Sequence, residues 1–172
     1  MKFIKKLISI ALLAIISSMA FAQSTTLNKG ASSANIESPR EGRLTEFQRR
    51  LPVIFAKAIK SAGLRDGVKV GDLVLDNNGL KAVITFDTDT MIQQGLSTPQ
   101  MRINIGTLNS KMLVDALIQE LIASGYNPRT EKLDIKVEAR AKGLVSATGG
   151  SQTLFLGMTS YTYMGDVVRS YN

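Results

Sequence analysis

Apolar side chains recur along this chain in two rhythms, one helical and one strictly alternating, and the expected elements follow from where each begins and ends. Between Leu44 and Ala62, the residues Leu44, Phe47, Leu51, Ile54, Phe55, Ala58 and Ile59 gather on one side of a helical wheel. Arg43, Arg50 and Lys57 lie seven apart and align as a stripe on the other side, flanked by Arg49 and Lys60. Pro52 has no N–H for the carbonyl four residues back, so the pattern predicts either a kink there or a short turn ahead of a helix that starts at Pro52. Gly63 supplies the stop.

Val68 to Leu75 and Leu80 to Phe86 read as a hairpin closed by Asp76-Asn77-Asn78-Gly79, whose Asn-Gly pair tolerates positive φ. Leu80, Ala82, Ile84 and Phe86 alternate with Lys81, Val83, Thr85 and Asp87. Thr88 to Pro99 reads as a loop with a helical turn over 91–95, and Met101, Ile103 and Ile105 as a short third strand. A second helix is expected over 110–123, with Asn109 as N-cap, Gly125 as stop and Pro128 beyond. Its apolar residues cover much of its circumference, the mark of deep packing. Leu133, Ile135, Val137 and Ala139 then alternate with charged neighbours, predicting a strand with one packed and one wet face. A glycine-rich turn over 147–151 leads to a strand over 153–164, with Tyr161 and Tyr163 on one face, and to a last short strand over 167–171.

These elements predict an α+β domain over 43–172, with antiparallel sheet packed on two helices. The helix ends KSAGL, from Lys60, and IASGY, from Ile122, each lead into strands, which raises a duplicated helix-plus-strands unit. A membrane barrel would need at least eight alternating strands and no core helices.

The N-terminus changes where this domain is expected to work. Lys2, Lys5 and Lys6 precede an apolar run from Leu7 to Ile16 broken only by Ser9, and Ala20-Phe21-Ala22 offers the small-x-small pattern of a signal-peptidase site. A cleaved signal peptide over 1–22 is therefore expected, and a periplasmic or secreted protein. The run is shorter than the roughly 20 residues of a membrane span. Residues 23–42 are polar and small and read as a flexible leader.

Charge and residue usage narrow the chemistry. Of the formal +7, three lysines lie in the expected signal peptide, leaving +4. Eight basic residues between Arg40 and Lys69 face three acidic ones, so this window holds the basicity of the expected mature chain. With neither cysteine nor histidine, thiol nucleophiles, Ser-His-Asp relays and zinc or copper sites built on those ligands are excluded. No cofactor is expected. A carboxylate pair, a Ser-Lys dyad or an oxygen-ligated metal remains.

Asp87 and Asp89 form the only close acidic pair in an expected loop, a minimal candidate for a hard cation or a hydrolytic pair, although a calcium cage takes six to eight oxygens. Asp76 to Gly79 is explained by turn chemistry alone. Tyr161 and Tyr163, with Phe155 and Tyr171, could stack on a ring if exposed. The basic face of the first helix, Arg43, Arg49, Arg50, Lys57 and Lys60, is the candidate for an anionic or protein partner. A charge of +4 exerts little pull toward nucleic acid. The reading that results is a non-enzymatic envelope adaptor, docking to a protein partner through the basic helix or a sheet edge. Anionic lipid, lipopolysaccharide and peptidoglycan are further candidate contacts. An envelope-polymer hydrolase and a small-ligand binder are the alternatives.

Overall fold

A computed structural model describes residues 39–76, 79–145 and 151–172, which belong to one compact unit, Glu37–Asn172. The expected signal peptide, the leader before Pro39, and the centres of the turns at 77–78 and 146–150 lie outside the described residues. The elements are α1 (Pro39–Ser61), β1 (Lys69–Val70), β2 (Val74–Asp76), β3 (Gly79–Asp87), α2 (Thr88–Gln93), α3 (Pro99–Ala123), β4 (Ile135–Val145), β5 (Ser151–Thr162) and β6 (Val167–Tyr171). Among the described residues no helix is long and apolar enough to cross a membrane.

The strands form one sheet in the order β1, β3, β4, β5, β6, with β2 paired to the same edge of β3 as β1. The α+β class holds, and the sheet is mostly antiparallel, but its central pair β3–β4 runs parallel, Leu80 opposite Ile135 through Asp87 opposite Lys142. Parallel neighbours cannot share a tight turn, so the chain crosses over the sheet between them through α2 and α3. A helix followed by an antiparallel hairpin therefore occurs twice, α1 before β1/β2–β3 and α3 before β4–β5. Both helices stop where a glycine takes positive φ, Gly63 at 62° and Gly125 at 86°.

Period-two burial in β3 and β4 drives Leu80, Ala82, Ile84, Phe86, Ile135, Val137, Ala139 and Ala141 to one side of the sheet. There they meet Phe47, Leu51, Ile54, Phe55 and Ala58 of α1 and Leu113, Val114, Leu117 and Leu121 of α3. Removing one such leucine side chain typically costs about 2–5 kcal/mol. The other side of the sheet carries Lys81, Val83, Thr85, Lys136, Glu138 and Arg140, partly or fully exposed.

Three expectations need correction. The segment with Met101, Ile103 and Ile105 is the first half of α3 rather than a strand, and Asn109 lies in the middle of that helix rather than at its cap. The cap is Thr98, whose side chain accepts from the Met101 N–H, with Pro99 in the first turn. The buried positions of this half are Arg102, Gly106, Asn109 and Ser110, a helical spacing written in polar and small residues, so the apolar pattern did not display it. Thr88–Gln93 is helical within what reads as a loop, and α1 begins at Pro39, inside the expected leader, and includes Pro52 within one helix, so the helix does not start there.

Small residues in α3 let it sit directly on β5. The β4–β5 register passes from Ala139 opposite Gly157 to Arg140 opposite Phe155, so Leu156 is the extra residue of a bulge and turns into the core beneath Gly106. A methyl at Gly106 would meet the Leu156 Cβ at 2.5 Å. One turn on, the Ser110 hydroxyl meets that of Thr159 at 2.9 Å, and Thr159 meets that of Ser170 on β6 at 2.9 Å, which satisfies the buried polar groups across three elements. Gly106→Ala is expected to destabilise the fold by about 1–3 kcal/mol, the usual cost of overpacking. Urea unfolding measures it, and Leu156→Ala, which keeps the Cβ that the added methyl would meet, is expected to give no rescue of the Gly106→Ala background.

Candidate functional site

The basic side chains of α1 divide into two sets. Arg43 forms an ion pair with Glu131 and stands 6.0 Å over the Tyr126 ring, which itself packs on Phe47 at 4.7 Å between centroids. Arg43 thus ties α1 to the segment after α3. Arg50 pairs with Glu46 at 2.7 Å one turn earlier. Arg49, Lys57 and Lys60 are exposed and make no ion pair among the described residues. The expected five-cation stripe is therefore three free cations and two engaged ones.

The flank of α1 turned from Arg43, Arg50 and Lys57 borders a different feature. Gln48, Pro52, Phe55, Ala56 and Ile59 form one wall of a groove of about 500 Å³, and Val70, Gly71, Asp72, Leu73 and Leu75 form the other. The strand wall is the broken sheet edge. Val70 faces Ile84 and Val74 faces Lys81, so the three residues 71–73 stand opposite only two of β3, and the edge strand bulges there. The Gly71 N–H donates to the Val83 carbonyl at 2.9 Å. Backbone groups alternate in direction along a strand, so those of Val70 point away from β3. The helix wall also presents a backbone acceptor. Pro52 has no N–H, so the Gln48 carbonyl lacks its usual donor at i+4, and both residues line the groove. The groove thus joins apolar walls to hydrogen-bonding backbone on both sides.

The acidic pair is placed otherwise than a cation loop would be. Asp87 is the N-cap of α2, its Oδ1 accepting from the Thr90 N–H and the Thr90 hydroxyl, each at 2.8 Å. Those two bonds hold its carboxyl below the usual range. Asp89 is exposed in the first turn, and no group of three or more acidic side chains able to hold a metal ion occurs among the described residues.

The tyrosines are also engaged. Tyr161 is 4% exposed and belongs to the core, so it presents no stacking face, a correction to the expected aromatic contact. Its hydroxyl donates to Asp166 Oδ1 at 2.9 Å. Burial first, then that hydrogen bond and the Asp166 charge, push its pKa up to about 12. Tyr163 is half-buried, and its backbone N–H donates to Asp134 Oδ1 at 3.1 Å. The aromatic rings that do face solvent are Phe155 and Tyr171.

The groove was not foreseen from the pattern. Its traces were present in Gly71-Asp72, which interrupts an apolar run, and in Pro52, Ala56 and Ile59, which widen the apolar side of α1 beyond what one sheet can cover. No family model, curated protein or solved structure matches the chain.

The Tyr161 hydroxyl couples the β5–β6 hairpin to pH. A phenol whose pKa is raised on folding contributes stability that is fully present below its unfolded value of about 10 and is lost as pH rises toward the folded one. Unfolding free energy is therefore expected to fall between about pH 10 and pH 12. Tyr161→Phe is expected to flatten that part of the curve, as read by denaturant melts at successive pH values.

Proposed function

We propose that the protein is an exported, non-enzymatic docking module of the cell envelope, which takes up an extended segment of a protein partner along the β1–β2 edge, beside α1. The groove between that edge and α1 is the observation that carries this reading. A strand added outside β1–β2 would take its main-chain hydrogen bonds from the outward-facing backbone at Val70 and alternate apolar side chains into the groove, the usual logic of strand addition. The lining residues Leu51, Phe55 and Ile59 on the helix and Leu73 and Leu75 on the edge suit apolar anchors. The signal-peptide layout of residues 1–22 supports the envelope as the compartment.

A binding role is favoured over hydrolysis because Asp87, one half of the acidic pair, is engaged as a helix cap. Of the free cations, Lys57 lies on the side of α1 turned from the groove, whereas Arg49 and Lys60, seven and four residues from Ala56, border its helix wall; here they act as a steering charge, felt within about 10 Å at 0.1 M salt.

Photo-cross-linking in living cells tests this reading. A photoreactive residue at Ala56 or Leu73 is expected to give one reproducible protein adduct. Val70→Pro removes an outward donor while leaving the ladder to β3 in place, and is expected to reduce the adduct severalfold. Arg49→Glu with Lys57→Glu is expected to leave it largely intact. No adduct from the groove positions, or an adduct abolished by the charge reversals and indifferent to Val70→Pro, would overturn the proposal.

A further inference from the structure

The helices cover one side of the sheet, and the registers show what the other side holds. Lys81, Lys136, Ser160 and Arg169 stand in one row across β3, β4, β5 and β6. Val83, Glu138, Met158 and Tyr171 form the next, and Lys69, Thr85, Arg140 and Phe155 the one beyond. With Lys142, six cations share this face with four carboxylates, Asp76, Asp87, Asp134 and Glu138. Glu138 accepts from Lys136 at 2.9 Å and from Arg140 at 2.7 Å, which fixes the centre of the face as an ordered patch of donors and acceptors. Arg169 makes no ion pair among the described residues. Phe155 is 47% exposed and Tyr171 45%, each at the β5–β6 end of a row that carries charged groups.

We propose that this open face binds an acidic glycan laid across the strands, its anionic groups on Lys136, Arg140 and Arg169 and its sugar rings against Phe155 and Tyr171. Strands lie about 4.8 Å apart, so a four-strand row offers roughly 14 Å of continuous contact. Three features select this partner. The net charge is positive but diluted by carboxylates, which suits a chain with scattered anions rather than one charge per unit. The hydroxyls of Thr85 and Ser160 and the Glu138 carboxylate match a hydroxyl-rich ligand, and flat aromatic rings pack well on sugar faces. The inference is independent of the groove, since the two surfaces share no residue named here.

Titration calorimetry with hyaluronate and with polygalacturonate, against dextran as the neutral chain, tests it. At least one acidic chain is expected to bind more tightly than dextran, and more weakly as salt rises. Arg169→Gln removes one charge-assisted contact and is expected to raise Kd about tenfold. Phe155→Ala is expected to weaken binding severalfold at unchanged melting temperature, and Lys60→Gln on α1 to leave it unaltered. Neither acidic chain exceeding dextran, an equal loss in Lys60→Gln, or tighter binding to phosphatidylglycerol vesicles or to oligothymidylate would overturn the assignment.

Discussion

The parallel pairing of β3 with β4 is the constraint on which the rest of this structure depends. Two parallel neighbours must be joined by a crossover, and here the crossover is α2 and α3. It places α3 on the same side of the sheet as α1, so a single core lies between sheet and helices. Everything else takes its position from that layering. One sheet face is dry, one is wet, and the hairpin of β1/β2 with β3 forms an edge that no further strand closes among the described residues.

The crossover also accounts for the chemistry of the α3–β5 contact. A helix that must cross strands at short range needs small residues, and Gly106 over Leu156 supplies that approach. The hydroxyls of Ser110 and Thr159 then replace apolar packing with satisfied polar pairs. Asn109, also buried, accepts from the Arg65 N–H at 2.9 Å and donates to the Ile105 carbonyl, which anchors the turn after α1 to the middle of α3. Gly79 plays the same part at the other end of β3, where an added Cβ would stand 2.1 Å from the Asp134 carbonyl oxygen. Its φ of 125° is a conformation that side chains rarely adopt.

Much of this was legible in the residues themselves, and the failures share one cause. Alternation found β3 and β4 because their inward positions are apolar, and Val167 to Tyr171 was placed correctly as the last strand. The hairpin was legible in Asp76 to Gly79, but its register was not, since Gly79 is already the first residue of β3, opposite Asp76. The first half of α3 escaped because its buried positions are Arg102, Gly106, Asn109 and Ser110, while Met101 and Leu108 face solvent. Thr98-Pro99 was a sound helix-start signal that the short alternation of Met101, Ile103 and Ile105 outweighed. Arg102 explains itself only in three dimensions, where its guanidinium donates to the Leu96 and Ser97 carbonyls and closes the turn ahead of α3. The groove and the basic face were illegible for a related reason, since each is assembled from residues distant in sequence.

Backbone amide exchange, residue by residue, is the most direct test of the account that the β1–β2 edge is the docking surface. The protein alone should exchange slowest in β3 and β4 and quickly at the outward amide of Val70. With the partner segment captured at Ala56 in place, Val70 and its neighbours in β1–β2 should gain protection while β6 and the outer face of α1 do not. Protection along β6, with Val70 unchanged, would contradict it.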